Sequence, residues 1–546
     1  MDDFSLARLI IQNSEFQKIA YNTLMYGIVA VSVGLPLYRL IYKNGMIKNG
    51  LIYNWFNPSS LPTPAKHVRG HLWSTLRDIK LFSNANRKKK RKLKVSNFAI
   101  DVKYNTKISK MPTFLKRYYE KTEIYFDPHQ LTKGVVGIGS AGSGKSVFIL
   151  NIMQQDIFPK SIFFSKKGDF EQYFYRPSVD ILLAPFSEKG AVHDILSEKI
   201  ELINTFIKTL SNAALGKKQD FFKTSSEDRI FGWIQNIKIE QYQNNISVKK
   251  SWEMLLNEYN KYAKKTKEGD SKSEKDVLSS IKVIFDELYI IAYKIIELDS
   301  KTFVVKDYFD EKKRGYKNRL FLSANDNSAI KLLSASFSVI VEHHLSMQDI
   351  NNFDENFLTA YFLDEYLSLA ENIDKKILDE ISRVGRSKGI TPFKFLQDLP
   401  AKAEERNDIT SNYQYLFIFA IAHSETIELL QKMLGEVEYI EDKESKSYSK
   451  SGTSTTQSEQ SKISKLLSND MMNSLEKDGY QHFLFAPKEK LLIKCGSPIQ
   501  KIHKRDYINI DREIIKSDFY KFKKEFENQE DKIDSISDDF LKRRGK

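Results

Sequence analysis

Seven short and almost wholly apolar runs recur along the chain: Gly134–Ile138, Ser161–Ser165, Ile181–Ala184, Arg319–Ser323, Phe357–Leu363, Thr391–Leu396 and Tyr415–Ala422. Runs this short, apolar on both faces and rich in Phe, Ile and Val, predict strands buried within a parallel sheet, with helices covering each side. Between 195 and 300 the period changes. Leu196–Ile207, Trp252–Tyr259 and Val277–Ile296 carry apolar residues at helical spacing, and a Lys/Glu/Ser-rich stretch at 264–275 reads as the linker between two of them. The pattern predicts an α/β fold interrupted by an all-helical insert. Asp442–Lys465 has too little apolar content to fold alone and is expected to be a flexible excursion.

One earlier run is longer. Ala20–Tyr38 holds no charged residue, and at 1.5 Å per residue a helix here measures roughly 28 Å, the thickness of a bilayer core. Asp2, Asp3 and Glu15 precede it and Arg39, Lys43 and Lys48 follow, the reverse of a signal peptide. The positive-inside rule then puts the N-terminus outside and the bulk of the chain in the cytoplasm. Asn22, two glycines and Pro36 dilute the run, so a buried core helix is the alternative.

Charge sharpens this picture. The 546 residues carry 85 Lys+Arg against 71 Asp+Glu, yet residues 1–120 alone hold 21 Lys+Arg and 6 Asp+Glu. The excess is local, unlike that of a uniformly basic nucleic-acid coat. Its densest part, Arg87–Lys94, suits a solvated linker, an arm on the anionic inner leaflet or a contact with nucleic-acid phosphates; between the last two, lipid is favoured because the span holds the arm near that surface. One cysteine, Cys495, excludes an internal disulfide and any multi-cysteine metal site. Glu342-His343-His344 lacks the spacing of a zinc protease helix.

The chemistry centres on Gly139-Ser140-Ala141-Gly142-Ser143-Gly144-Lys145-Ser146, a G-x-x-x-x-G-K-[ST] loop between the first apolar run and an apolar helix. Its glycines let successive backbone N–H groups face phosphate oxygens, Lys145 adds a point charge, and the Ser146 hydroxyl suits Mg²⁺. The run Phe357–Leu363 ends in Asp364-Glu365. An aspartate there can hold the same Mg²⁺, and the adjacent glutamate can orient or deprotonate an attacking water.

Together these residues resemble the type IV secretion coupling proteins, the membrane-anchored ATPases of conjugal transfer, from the anchor to about residue 512. Phe362–Leu369 (FLDEYLSL) is close to the family's FLDELPSL, and Lys166–Phe170 (KKGDF) resembles its K-G-D/E segment. Asp180–Phe186 with His193-Asp194, Arg319–Ala324 before the expected helix Ala329–Met347, Arg386–Ile390 and Phe395–Leu399 (FLQDL) are similar to further family segments. Ser165 stands where Asp is usual, His193 where Trp is common, and one span appears where many relatives have two.

The resemblance implies a RecA-like P-loop motor domain over 96–194 and 303–512 with an inserted all-α domain over 195–302. An N-terminal segment 1–43 would carry the transmembrane helix at about 20–38, a basic juxtamembrane linker would fill 44–95, and 513–546 would be a charged tail. It implies ATP and Mg²⁺ as cofactors, Gln397 as γ-phosphate sensor and Arg386 as an arginine finger reaching a neighbouring subunit, or else as a surface arginine. It also implies a homo-hexamer at the bacterial inner membrane that contacts membrane lipids and delivers a single-stranded DNA–relaxase complex, with proteins as a further cargo, to type IV secretion channel components. A septal-type DNA translocase and a protein-effector receptor without DNA transport are the alternatives.

Overall fold

The structure, a computed structural model, describes residues 66–69, 76–93, 98–102, 122–165, 170–216, 220–269, 271–310, 318–324, 327–349, 358–400, 413–449, 452–473, 482–489, 491–495 and 518–526, with a few single positions between them. The apolar run 20–38, the segment Lys166–Asp169 and the end of the tail lie outside these. Among the described residues no helix is long and apolar enough to cross a membrane. The chain divides into two compact units, one made of 1–79, 103–121 and 430–468, the other of the remainder.

The larger unit is built on a nine-stranded sheet. Its strands in chain order are β1 (Val135–Ile138), β2 (Lys160–Ser165), β3 (Ile181–Leu183), β4 (Asn318–Ser323), β5 (Thr359–Leu363), β6 (Ile390–Leu396), β7 (Tyr415–Phe419), β8 (His482–Ala486) and β9 (Leu491–Cys495). The spatial order is β9-β8-β7-β1-β6-β5-β2-β4-β3; the seven from β7 to β3 run parallel, and β8 and β9 close one edge antiparallel. Each of the seven predicted runs is a strand, within a few residues at each end. Burial on both faces explains why they were legible: there is no polar face to alternate with.

Phenylalanines hold the centre. Phe321, Phe163, Phe362 and Phe393 lie in register on β4, β2, β5 and β6 and stack at 4.9, 4.8 and 4.6 Å between centroids. Helix α1 (Lys145–Gln154) sets Phe148 against Phe395, Phe417 and Phe419. Gly137 allows that packing, since a Cβ there would sit 2.4 Å from Cδ1 of Phe395.

Four helices stand between β3 and β4: α2 (Ile200–Leu215), α3 (Phe221–Asn244), α4 (Val248–Gly269) and α5 (Lys272–Ile296). The chain enters and leaves them through a two-stranded parallel ladder, Val192–His193 beside Thr302–Phe303. The stretch 264–275 is not a linker. α4 runs on to Gly269, and α5 restarts at once because the Ser271 hydroxyl accepts the Glu274 N–H at 3.4 Å, a capping-box spacing. Lys265, Lys272 and Lys275 are exposed on the helix surface, Lys264 is half-buried, and Tyr262 and Arg229 bind Glu274. Sequence periodicity singled out no helix at 221–244, although Ile230, Ile234 and Ile237 are buried at i, i+4 and i+7. Exposed Phe221, Ile239 and Tyr242 on the same helix blur that stripe. Helix α6 (Asn327–Ser346) follows β4 and packs along α2.

The smaller unit contains a three-stranded sheet of Lys66–Arg69, Glu436–Ser449 and Gly452–Lys465. The expected flexible excursion at 442–465 is therefore a β-hairpin. Fourteen consecutive cross-strand pairs, from Glu436↔Lys465 to Ser449↔Gly452, set its register and pair the backbone groups that face across the hairpin. Arg87–Leu93 of the basic run continue a helix, Leu76–Leu93.

Candidate functional site

In a parallel sheet, residues just past the C-terminal ends of neighbouring strands converge, and this is where such folds bind ligands. The order β1-β6-β5 brings three of the singled-out segments together there: the glycine loop after β1, Gln397 after β6 and Asp364-Glu365 after β5.

The loop is held from both sides. Gly139 N–H donates to the carbonyl of Leu396 at 3.1 Å and Ser140 N–H to that of Ala420 at 2.9 Å, while Ala422 N–H donates to Ser140 Oγ at 2.8 Å. Gly142 (φ 77°) and Gly144 (φ 95°) take left-handed conformations that favour glycine, and this curls the loop and delivers its chain into α1. Gly139 is required by space: a Cβ would sit 2.4 Å from Phe419 Cβ. Ala141 and Gly142 stand exposed at the crest. Lys145, the first residue of α1, is buried, and its ammonium donates to the carbonyls of Gly139 and Ser140, the latter at 2.9 Å. Ser143 Oγ is buried with no hydrogen-bond partner. A positive helix end, a curled run of N–H groups and a buried ammonium form a cradle for a polyphosphate.

Opposite it, Asp364 N–H donates to the Phe164 carbonyl at 3.1 Å, extending the β5–β2 ladder by one bond. Glu365 follows in a left-handed conformation (φ 56°, ψ 49°) and starts the short helix Tyr366–Ala370. A non-glycine residue there costs energy, and such outliers cluster at functional sites. Gln397 Nε2 lies 3.4 Å from Glu365 Oε1 across the gap between β6 and β5. Thirty-two positions apart in sequence, these two side chains share one site.

Arg386 does not join them. It sits exposed in the turn before β6, 3.4 Å from His129 Nε2, and His129 lies on the short helix Pro128–Leu131 ahead of β1. Both therefore stand at the N-terminal edge of the sheet, opposite the glycine loop.

Sequence reading missed the polar groups that join the helical insert to the sheet. Lys294 of α5 is fully buried and donates to the carbonyls of Ala184, Ser187 and Gly190 in the loop after β3. Burial pushes its pKa down to about 7, with Glu188 opposing. Buried Asp194 accepts the Trp252 indole N–H at 2.9 Å. Glu198 Oε1 accepts the Val305 N–H at 2.5 Å and lies 3.1 Å from His193 Nε2, tying entry and exit of the insert together. These partners lie 58 to 110 positions apart, except His193 and Glu198, and no local spacing announces them.

Residues 119–494 match the sequence model of the type IV secretion-system coupling protein DNA-binding domain. The match covers more than half of the chain, and the protein belongs to the type IV secretion coupling protein family. Among solved structures it is similar to the bacterial conjugative coupling protein TrwBdeltaN70 in its trigonal form with sulphate, at 13% identity and a TM-score of 0.52, over 75% of this chain and 96% of that one. It is similar also to the plasmid coupling protein TrwB with ADP and Mg²⁺, at 13% identity and 0.51, over 76% and 97%. TrwB with the ATP analogue ADPNP aligns at 12% and 0.52, over 75% and 95%. These likenesses establish the fold: a P-loop α/β sheet with a helical insert. No curated protein matches the chain in sequence.

Proposed function

We propose that the protein is a membrane-anchored ATPase that couples a single-stranded DNA–relaxase complex to a type IV secretion channel, working as a homo-hexamer at the bacterial inner membrane. The observation that carries the catalytic reading is the convergence of the glycine loop, Asp364-Glu365 and Gln397 on one edge of the sheet, with Gln397 3.4 Å from Glu365. The family membership and TrwB's capture of ADPNP, and of ADP with Mg²⁺, support ATP and Mg²⁺ as the ligands.

The residues fit such a ligand. The loop N–H groups and Lys145 would hold its phosphates, and the buried, unpartnered Ser143 hydroxyl is a spare donor in the same cradle. Ser146 and Asp364 would hold the cation, which supplies charge neutralisation at the transferring phosphoryl group. Glu365 orients and accepts a proton from water, while Gln397, beside it, holds the carboxylate in place and reports whether the γ-phosphate is present. Arg386 lies on the far edge from its own glycine loop, which supports a role as an arginine finger in a neighbouring copy's site over a role in its own. In this reading the motor domain spans 96–194 and 303–512, apart from 103–121 and 430–468, which belong to the smaller unit; the insert spans 195–302, and the span at 20–38 anchors the chain.

The test is the ATPase rate of the full chain in detergent with and without single-stranded DNA. Several-fold stimulation is expected. Steady hydrolysis indifferent to DNA would sink the DNA-cargo reading and favour a receptor for protein effectors.

A further inference from the structure

Residues 518–526, in the expected tail, form a helix seated on the inserted helices. Phe519, Phe522 and Phe526 recur at i, i+3 and i+7 on one stripe, while Tyr520, Lys521 and Lys524 stay exposed. Phe519 and Phe522 meet the Tyr293 ring of α5 edge-on at 5.7 and 5.2 Å. Lys523 pairs with Asp286 and lies 5.4 Å from the centre of the Tyr289 ring. At the helix end, buried Asn260 of α4 donates from Nδ2 to the Phe526 carbonyl at 2.9 Å. Two aromatic rings, one carboxylate and one amide thus form a socket whose features each match one feature of the segment.

The energetics make this a latch rather than a core element. Only Phe522 and Phe526 are buried, at 4% and 8% exposure. An isolated helix of nine residues is marginal in water, so helix formation and docking occur together. Tethering raises the local concentration of the segment and so favours its occupancy of the site.

We propose that Asn260, Asp286, Tyr289 and Tyr293 form a recognition site for short aromatic–basic helices, filled in cis by residues 518–526. A helix offered in trans with Phe at i, i+3 and i+7 and Lys at i+4 competes with this tail for the site. The family assignment and the ATPase reading play no part in this inference.

The experiment uses the full chain and a fluorescent peptide of residues 515–530. In Phe522→Asp the cis helix is disabled while the socket is untouched, and the peptide should bind at least tenfold more tightly than to the unaltered chain. Adding Asp286→Lys to that variant should abolish binding, and a peptide carrying Lys523→Asp should restore it, which a misfolded socket could not do. Equal peptide affinity for the unaltered and Phe522→Asp chains, or no rescue by the charge swap, overturns the proposal. So does peptide binding to the unaltered chain that rises on dilution of the protein, because the tail would then sit on a neighbouring copy.

Discussion

Acid should destabilise this protein through two buried histidines, each packed beneath a strand or helix that shapes the candidate site. His482 of β8 is fully buried, neither ring nitrogen has a hydrogen-bond partner, and its ring lies 5.1 Å from that of Phe148 on α1. His344 of α6 is buried with Nδ1 2.9 Å from the hydroxyl of Tyr361 on β5. Burial pushes both imidazoles down to about 3 from an ordinary 6.5. The unfolded chain therefore takes up these protons near pH 6.5 while the folded chain refuses them until about 3, so the stability they contribute is complete above 6.5 and falls as pH drops between those values. At 1.36 kcal/mol per pH unit per group, lowering the pH from 7.5 to 5 removes about 2 kcal/mol for each, about 4 together. That is a large part of the 5–15 kcal/mol typical of a folded protein. Urea denaturation between pH 5 and 8 measures it. His482→Leu should halve the loss and, by removing unpaired ring nitrogens, add about 1 kcal/mol at neutral pH. A pH dependence in His482→Leu identical to that of the unaltered chain would refute the reasoning.

Other outcomes are expected from the site and its supports. Lys145→Ala should lose nucleotide binding, whereas Glu365→Gln should bind ATP normally and hydrolyse it about 10²–10⁴-fold more slowly; equilibrium binding and steady-state turnover separate the two, and near-normal turnover in Glu365→Gln removes it from the catalytic role. Arg386→Ala should bind ATP yet hydrolyse it slowly, and mixing with Lys145→Ala subunits should restore part of the rate; verified mixed rings without recovery would mean that Arg386 acts within its own subunit or not at all. Lys294, its pKa lowered to about 7, loses its proton on folding between pH 7 and its unfolded value of 10.5. Stability should therefore rise with pH across that window, and thermal melts of Lys294→Met should show a flatter rise.

Much of the sheet was legible because its strands are short, apolar and buried on both faces. The glycine loop was legible because its chemistry is contiguous, eight residues from Gly139 to Ser146. The hairpin at 436–465 was not, since cross-strand backbone pairing rather than apolar composition builds it. The 264–275 stretch misled because a solvated helix surface and a linker share a composition, and only the Ser271 cap distinguishes them. The tail read as mixed charge until Phe519, Phe522 and Phe526 found Tyr293 and Asn260, more than 220 positions away.

Local sequence by itself determined which groups could meet a phosphate or a cation, because loop curvature, helix start and strand end are set within a few residues. Tertiary structure decided which of them meet. Strand order placed Gln397 beside Glu365 and left Arg386 on the opposite edge, and it buried Lys294 under three carbonyls 104 to 110 residues away. The physical reason is that strand order and helix docking minimise the apolar area that the whole sheet and its helices leave exposed to water, a sum over distant residues that no local window contains.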